Sequence, residues 1–140
     1  MIIPDLVPEE GGPYARAAKR NGIDLIYLAA PTTPQARIRM IAKQTHGFLY
    51  AVSLTGVTGV RSAVPKEVAS FLKSIKAVSR KPVAVGFGLT TPHQVRDISR
   101  QADGVIVGSA LIRAVEASKG PRFEKAARFV RSLKGALHAS

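Results

Sequence analysis

Two short glycine-bearing turns carry the residue types in this chain that are best suited to chemistry. The first is Gly86-Phe87-Gly88-Leu89-Thr90-Thr91-Pro92, reached from Val83-Ala84-Val85; the second is Gly108-Ser109, reached from Val105-Ile106-Val107. In both, a β-branched run ends in glycine and a helix-forming segment follows at once. Glycine lets backbone N–H groups come close to a ligand and accepts positive φ. Thr91 before Pro92 is a good N-cap with proline at the first helical position. Because exposed N–H groups at a helix start attract anions, the chemistry offered is the holding of a phosphate-like group. A tight strand-to-helix turn needs the same residues for purely structural reasons. Repetition one βα unit later matches the phosphate site of (β/α)8 barrels, where the loops after strands seven and eight converge.

A third candidate is the loop Leu54 to Ala63, which carries Gly56 and Gly59. Connections from strand to helix usually take about two to six residues, so a loop this long reads as a lid or ligand loop. His46, His93 and His138 fall at a helix end, a helix start and the tail. They do not cluster, which supports neither a metal site nor a triad.

The elements that must position these turns alternate along the chain. Strands are expected at Ile2–Leu6, Leu25–Ala29, Phe48–Ser53, Val83–Phe87 and Val105–Val107. The Val83 run has no alternating polar positions, which suits a parallel strand buried on both faces. Helices are expected from Pro8 to about Asn21, with Glu9 and Glu10 at the positive end of the dipole, and from Gln35 to about Thr45, capped by Thr33. Further helices should cover Pro65–Ser79, Pro92–Gln101 and Arg122–Ala136. Strands separated by helices of regular length imply βαβ units with right-handed crossovers and one parallel sheet in sequence order. The fold class is therefore α/β with about five βα units, and the paired glycine turns match it to a partial barrel of the TIM (β/α)8 family. No linker or composition shift divides residues 1–140, which read as a single domain.

Composition bounds the function. The chain has 140 residues, of which 46% are hydrophobic, and no cysteine. It has material for one core, whereas a complete (β/α)8 barrel takes about 250 residues. The lack of cysteine excludes disulfides and thiolate metal sites and suits a cytoplasmic setting. No apolar run approaches the roughly 20 residues of a membrane span, and Met1–Asp5 does not resemble a secretory signal. The net charge of +12 invites a nucleic-acid reading. Its distribution argues against one, since the cations are scattered over several helices. Only Arg122, Lys125, Arg128, Arg131 and Lys134 line up, opposite an apolar stripe of Phe123, Ala127, Val130, Leu133 and Leu137; this reads as a solvated helix face around a core stripe.

Taken together, Ile3–Glu10, Leu28-Ala29-Ala30-Pro31-Thr32, Tyr50–Gly59, Gly86-Phe87-Gly88 and Gly108-Ser109-Ala110 resemble the tryptophan synthase alpha subunit, in its C-terminal part from about the fourth strand to the last helix. The resemblance implies a lyase that cleaves indole-3-glycerol phosphate reversibly to indole and glyceraldehyde 3-phosphate. It implies no cofactor of the chain's own, since pyridoxal phosphate belongs to the partner beta subunit that receives the indole. Gly59, Gly88, Gly108 and Ser109 match phosphate-binding positions. Leu28 and Phe87 match walls of the indole pocket, Tyr50 borders the reacting centre, and Thr58 lies on the mobile loop over the substrate.

The same resemblance puts the family's general acid/base Glu, and the Asp that holds the indole nitrogen, upstream of the position matching Met1. No catalytic residue is therefore assigned within this sequence. Asp5 is better read as a structural or interface residue, and Asp24, Asp97 and Asp103 fall outside any motif. Three readings remain open: a truncated or split lyase that needs an N-terminal half-barrel, a binding module for a phosphorylated metabolite, and a basic nucleic-acid binder. An open arc of strands should also expose apolar surface and favour self-association.

Overall fold

The structure is a computed structural model that describes residues 1–52, 65–86, 88–118 and 123–137. Apolar periodicity near 3.6 in the helical segments and β-branched runs between them produce the alternation. Its order is α1 (Gly12–Arg20), β1 (Leu28–Ala29), α2 (Gln35–Gln44), β2 (Leu49–Val52), α3 (Lys66–Lys76), β3 (Val83–Gly86), α4 (Pro92–Ser99), β4 (Gly104–Val105), α5 (Ser109–Glu116) and α6 (Glu124–Leu137). The strands form one sheet in the order β1-β2-β3-β4, and every pair is parallel. A parallel sheet in sequence order is what successive βαβ crossovers build.

The expected first strand, Ile2–Leu6, is reduced to a single parallel bridge from Ile2 to Ile26. Pro4 has no N–H to donate, and the chain turns there, with the Leu6 N–H donating to the Ile3 carbonyl at 3.2 Å. The sheet thus has four strands and a bridge where five strands were expected. The first helix also starts late. Pro8 to Gly11 makes turns, and the helix begins at Gly12 with no side-chain cap. Glu9 therefore is not a dipole residue; it forms a two-pronged ion pair with Arg37, at 2.7 and 3.0 Å, that ties this loop to α2. Nor does Thr33 cap α2, whose N-cap is Pro34. The Thr33 hydroxyl instead accepts the Ala30 N–H at 2.9 Å within the loop.

The core lies between the convex face of the sheet and the helices. Leu49 and Ala51 of β2 and Val83 and Val85 of β3 are buried there against Ile38 and Ile41, against Val68, Leu72 and Ile75, and against Val95 and Ile98. The intervening residues Tyr50, Val52, Ala84 and Gly86 are only partly buried. Strand β3 is thus not buried on both faces: among the described residues the concave side is left partly exposed. The core stripe of α6 is also displaced: Ala126, Leu133 and Ala136 are buried, while Phe123, Val130 and Leu137 are exposed. Helix α6 packs against α4 and α5.

At the end of the sheet where strands begin, distant segments are pinned by hydrogen bonds. Thr45, fully buried, accepts the Tyr27 N–H at 3.0 Å and donates to the Phe48 carbonyl at 2.8 Å. Asp103 accepts the Val83 N–H at 2.8 Å and Lys76 at 3.2 Å. The carboxyl of Asp103 is held below the usual aspartate range, first by the Val83 amide and then by Lys76. Among the described residues no helix is long and apolar enough to cross a membrane.

Candidate phosphate turns and concave pocket

Strand register decides which side chains share the concave face. Leu28 pairs with Tyr50, Tyr50 with Ala84, and Ala84 with Gly104. Residues paired directly across a parallel sheet lie on one face. Leu28, expected at the wall of the indole pocket, and Tyr50, expected to border the reacting centre, are therefore neighbours, and the row continues through small Ala84 and Gly104. The small pair was not singled out in the sequence, although the alternation along β3 and β4 carries the signal. A large-to-small gradient leaves the β3–β4 side of the concave face open and the Leu28–Tyr50 side filled.

Gly86 has a different task from the one its sequence suggested. A Cβ there would lie 2.4 Å from the Tyr50 hydroxyl and 2.7 Å from a ring carbon. Its missing side chain makes room for the tyrosine ring, not for a ligand. Gly88 does keep the expected conformation: its φ is +63°, and a Cβ there would meet nothing within 4 Å.

The two turns emerge side by side at the end of the sheet where strands finish, because β3 and β4 are paired neighbours. Their helix starts differ. In α4, Thr91 is the N-cap of a complete capping box. Its hydroxyl accepts the Gln94 N–H at 3.3 Å, while the Gln94 side-chain oxygen accepts the N–H groups of Thr90 and Thr91 at 3.0 and 3.2 Å. The Thr-x-x-Gln spacing is the sequence signature of that device, and the part played by Gln94 was missed. These donors are spent inside the protein.

Helix α5 has no such cap. Its N-cap is Gly108, without a side-chain hydrogen bond, and a Cβ on Gly108 would meet nothing within 4 Å. Among the described residues no acceptor takes the N–H groups of Ser109 and Ala110, and the Ser109 hydroxyl has no partner. Among the described residues, two backbone donors and a hydroxyl thus stand unpaired at the positive end of a helix, although Ala110 itself is buried. Gly59, Thr58 and Phe87 lie outside the described residues.

Asp5 is an exposed turn residue, and Asp97 lies 3.2 Å from His93 one helical turn away. The Tyr27 hydroxyl is buried without a partner, and desolvation pushes its pKa up. No group of three or more His, Asp or Glu able to hold a metal occurs among the described residues.

The family model for the tryptophan synthase alpha chain matches residues 1–138. The chain belongs to the tryptophan synthase alpha chain family. It is 42% identical to the tryptophan synthase alpha chain of Dehalococcoides mccartyi over 137 residues, covering 98% of this chain and 53% of the relative. With that of Gloeobacter violaceus it shares 46% identity over 138 residues, covering 97% of this chain and 50% of the relative. Among solved structures, tryptophan synthase from Mycobacterium tuberculosis superposes with a TM-score of 0.87 at 33% identity, over 99% of this chain and 51% of the other. The alpha subunit from Legionella pneumophila does so with a TM-score of 0.81 at 35% identity, over 97% of this chain and 50% of the other. This alpha-type chain therefore spans about half the length of the curated relatives it matches, and its four-stranded sheet is an arc of the TIM barrel.

Proposed function

We propose that this chain is the phosphate-binding half of a tryptophan synthase alpha-type lyase. Gly88, Gly108 and Ser109 hold the phosphate of indole-3-glycerol phosphate or of its product, glyceraldehyde 3-phosphate. Gly59 completes the clamp as the resemblance implies. The observation that carries this reading is the uncapped start of α5: two N–H groups and a hydroxyl with no partner among the described residues, beside a glycine in the left-handed region, where a Cβ on either Gly88 or Gly108 would meet nothing within 4 Å. Backbone donors suit a dianion because they need no proton exchange and are already oriented.

Leu28 then walls the indole ring and Tyr50, its neighbour, borders the reacting centre; the resemblance adds Phe87 to the wall and Thr58 to the loop that closes over the substrate and keeps water out. No described carboxylate is positioned for proton transfer on the concave face. Glu9 is engaged by Arg37, and Asp103 by Val83 and Lys76 at the opposite end of the sheet. The acid/base pair comes from an N-terminal half-barrel that packs on the open concave side, and the assembled unit delivers indole to a beta subunit in the cytoplasm. The chain needs no cofactor of its own.

The test has two arms. Titration of the 140-residue chain with glyceraldehyde 3-phosphate, followed by NMR, should move the amides of Gly88, Gly108, Ser109 and Ala110 first and leave those of Lys125 and Arg128 in place. The chain alone should not cleave indole-3-glycerol phosphate, because general acid–base catalysis contributes about 10² to 10⁴ in rate, and an added N-terminal half should restore cleavage. Binding without restored cleavage would instead favour a module that holds phosphorylated metabolites without chemistry. Shifts confined to α6 would overturn the clamp.

A further inference from the structure

At the end of the molecule away from the phosphate turns, an open groove of about 350 Å³ runs between α2 and the connection from α3 to β3. Its floor is Ala42 and Val78, and its rim carries Arg39, Lys43, Arg80 and Lys81, with no carboxylate among the lining residues. Lys81 is tied down, its ammonium donating to the Thr45 carbonyl. Among the described residues no ion pair or side-chain hydrogen bond engages Arg39, Lys43 or Arg80.

The ends of helices explain only part of this charge. Lys43 lies in the last turn of α2, where a cation complements the dipole. Arg39 is in mid-helix, and Arg80 lies beyond the end of α3. On the other flank of α3 a second groove of about 430 Å³ is lined by Lys73, Lys76 and Arg100. There Lys76 already has a counter-charge in Asp103, 3.2 Å away. The first groove has none.

We propose that the groove between α2 and the α3–β3 connection is a second anion site, taking a small ligand with two or more linked phosphates. Like charges held around one cleft repel each other, and a multiply charged anion converts that repulsion into attraction. Two guanidinium groups can each grip phosphate oxygens in pairs. A groove of this volume is at the lower end of the range for small-molecule sites, which favours a compact polyphosphate over a nucleic-acid strand. Ala42 and Val78 offer an apolar floor for whatever group the phosphates carry.

The probe is inorganic pyrophosphate, titrated into the full 140-residue chain and followed by NMR, with a 20-nucleotide single strand in a parallel titration. Pyrophosphate should move the amides of Ala77 to Lys81 and of Arg39 to Lys43. The double variant Arg39→Gln/Lys43→Gln should bind it at least tenfold more weakly, and so should Arg80→Gln. Both alter exposed side chains, and an unchanged circular dichroism spectrum would show that they fold. Lys73→Gln and Gly108→Val should each change the affinity less than twofold. Equal weakening by Lys73→Gln would mean diffuse charge and overturn the site. Shifts confined to Gly88–Ala110 would overturn it too, as would tight binding of the oligonucleotide with none of pyrophosphate.

Discussion

The turn after β3 and the turn after β4 look alike as sequence, each a β-branched strand that passes through glycine into a helix, yet they dispose of their N–H groups in opposite ways. After β3, Thr91 and Gln94 close a capping box that consumes the donors of Thr90, Thr91 and Gln94. After β4, Gly108 offers no side chain, and among the described residues nothing takes the donors of Ser109 and Ala110. A helix start that caps itself is a structural device. One that leaves its donors unpaired keeps them for something else. The first turn still contributes Gly88, whose left-handed backbone opens space beside the second. In the proposed clamp the first turn thus supplies Gly88 alone, and the second supplies the unpaired N–H groups and the hydroxyl.

The largest effect should come from filling the open turn. Gly108→Val places branched carbon where a Cβ now meets nothing within 4 Å, so the fold should survive. Affinity for glyceraldehyde 3-phosphate should fall roughly 100-fold, the loss of two hydrogen bonds to a charged group at about 1.5 kcal/mol or more each. Isothermal titration of variant and parent decides it. A loss larger for Lys125→Ala or Arg128→Ala than for Gly108→Val would place the anion on α6 and end the comparison.

Next is Gly88→Ala, which forces a Cβ onto a φ of +63°. The left-handed region costs an ordinary residue about 1–2 kcal/mol. Denaturant unfolding should show that loss, with a smaller drop in phosphate affinity as the turn relaxes. Unchanged stability would mean that the turn is not held as described.

Thr91→Ala should separate the two turns most cleanly. Loss of an N-cap costs about 1 kcal/mol, visible as a lower unfolding midpoint, while glyceraldehyde 3-phosphate affinity should stay within about twofold if the capped donors of Thr90, Thr91 and Gln94 make no bond to the ligand. A large drop in affinity would show that the capped turn binds after all.

The smallest effect concerns pH. The Val83 amide, and then Lys76, hold the Asp103 carboxyl below its ordinary range. A depressed folded pKa means that the unfolded chain takes up this proton first. The contribution to stability is therefore present above the ordinary aspartate pKa and lost as pH falls through the folded value. Asp103→Asn keeps an acceptor for Val83 but does not titrate. Its acid unfolding curve should be correspondingly flatter. The clamp's amides do not ionise, so its affinity should follow only the second ionisation of the ligand phosphate, near pH 6.

The sequence by itself determined the alternation of strand and helix, the parallel order of the sheet, the Thr91–Pro92 helix start and the glycines that end β3 and β4. These depend on backbone preferences over a few neighbouring residues, and the family motifs lie along the same stretches. Tertiary structure decided what each residue faces. Gly86 and Gly88 stand two positions apart, yet one makes room for a tyrosine from the adjacent strand while the other opens to solvent. Glu9 found Arg37, 28 positions away, in place of a helix dipole. Val83 and Val85 are buried while Ala84 between them is half-buried, because the described helices pack on the convex side of the sheet. Contacts of this kind depend on which distant segment arrives opposite, and no local pattern of residue types encodes that arrival.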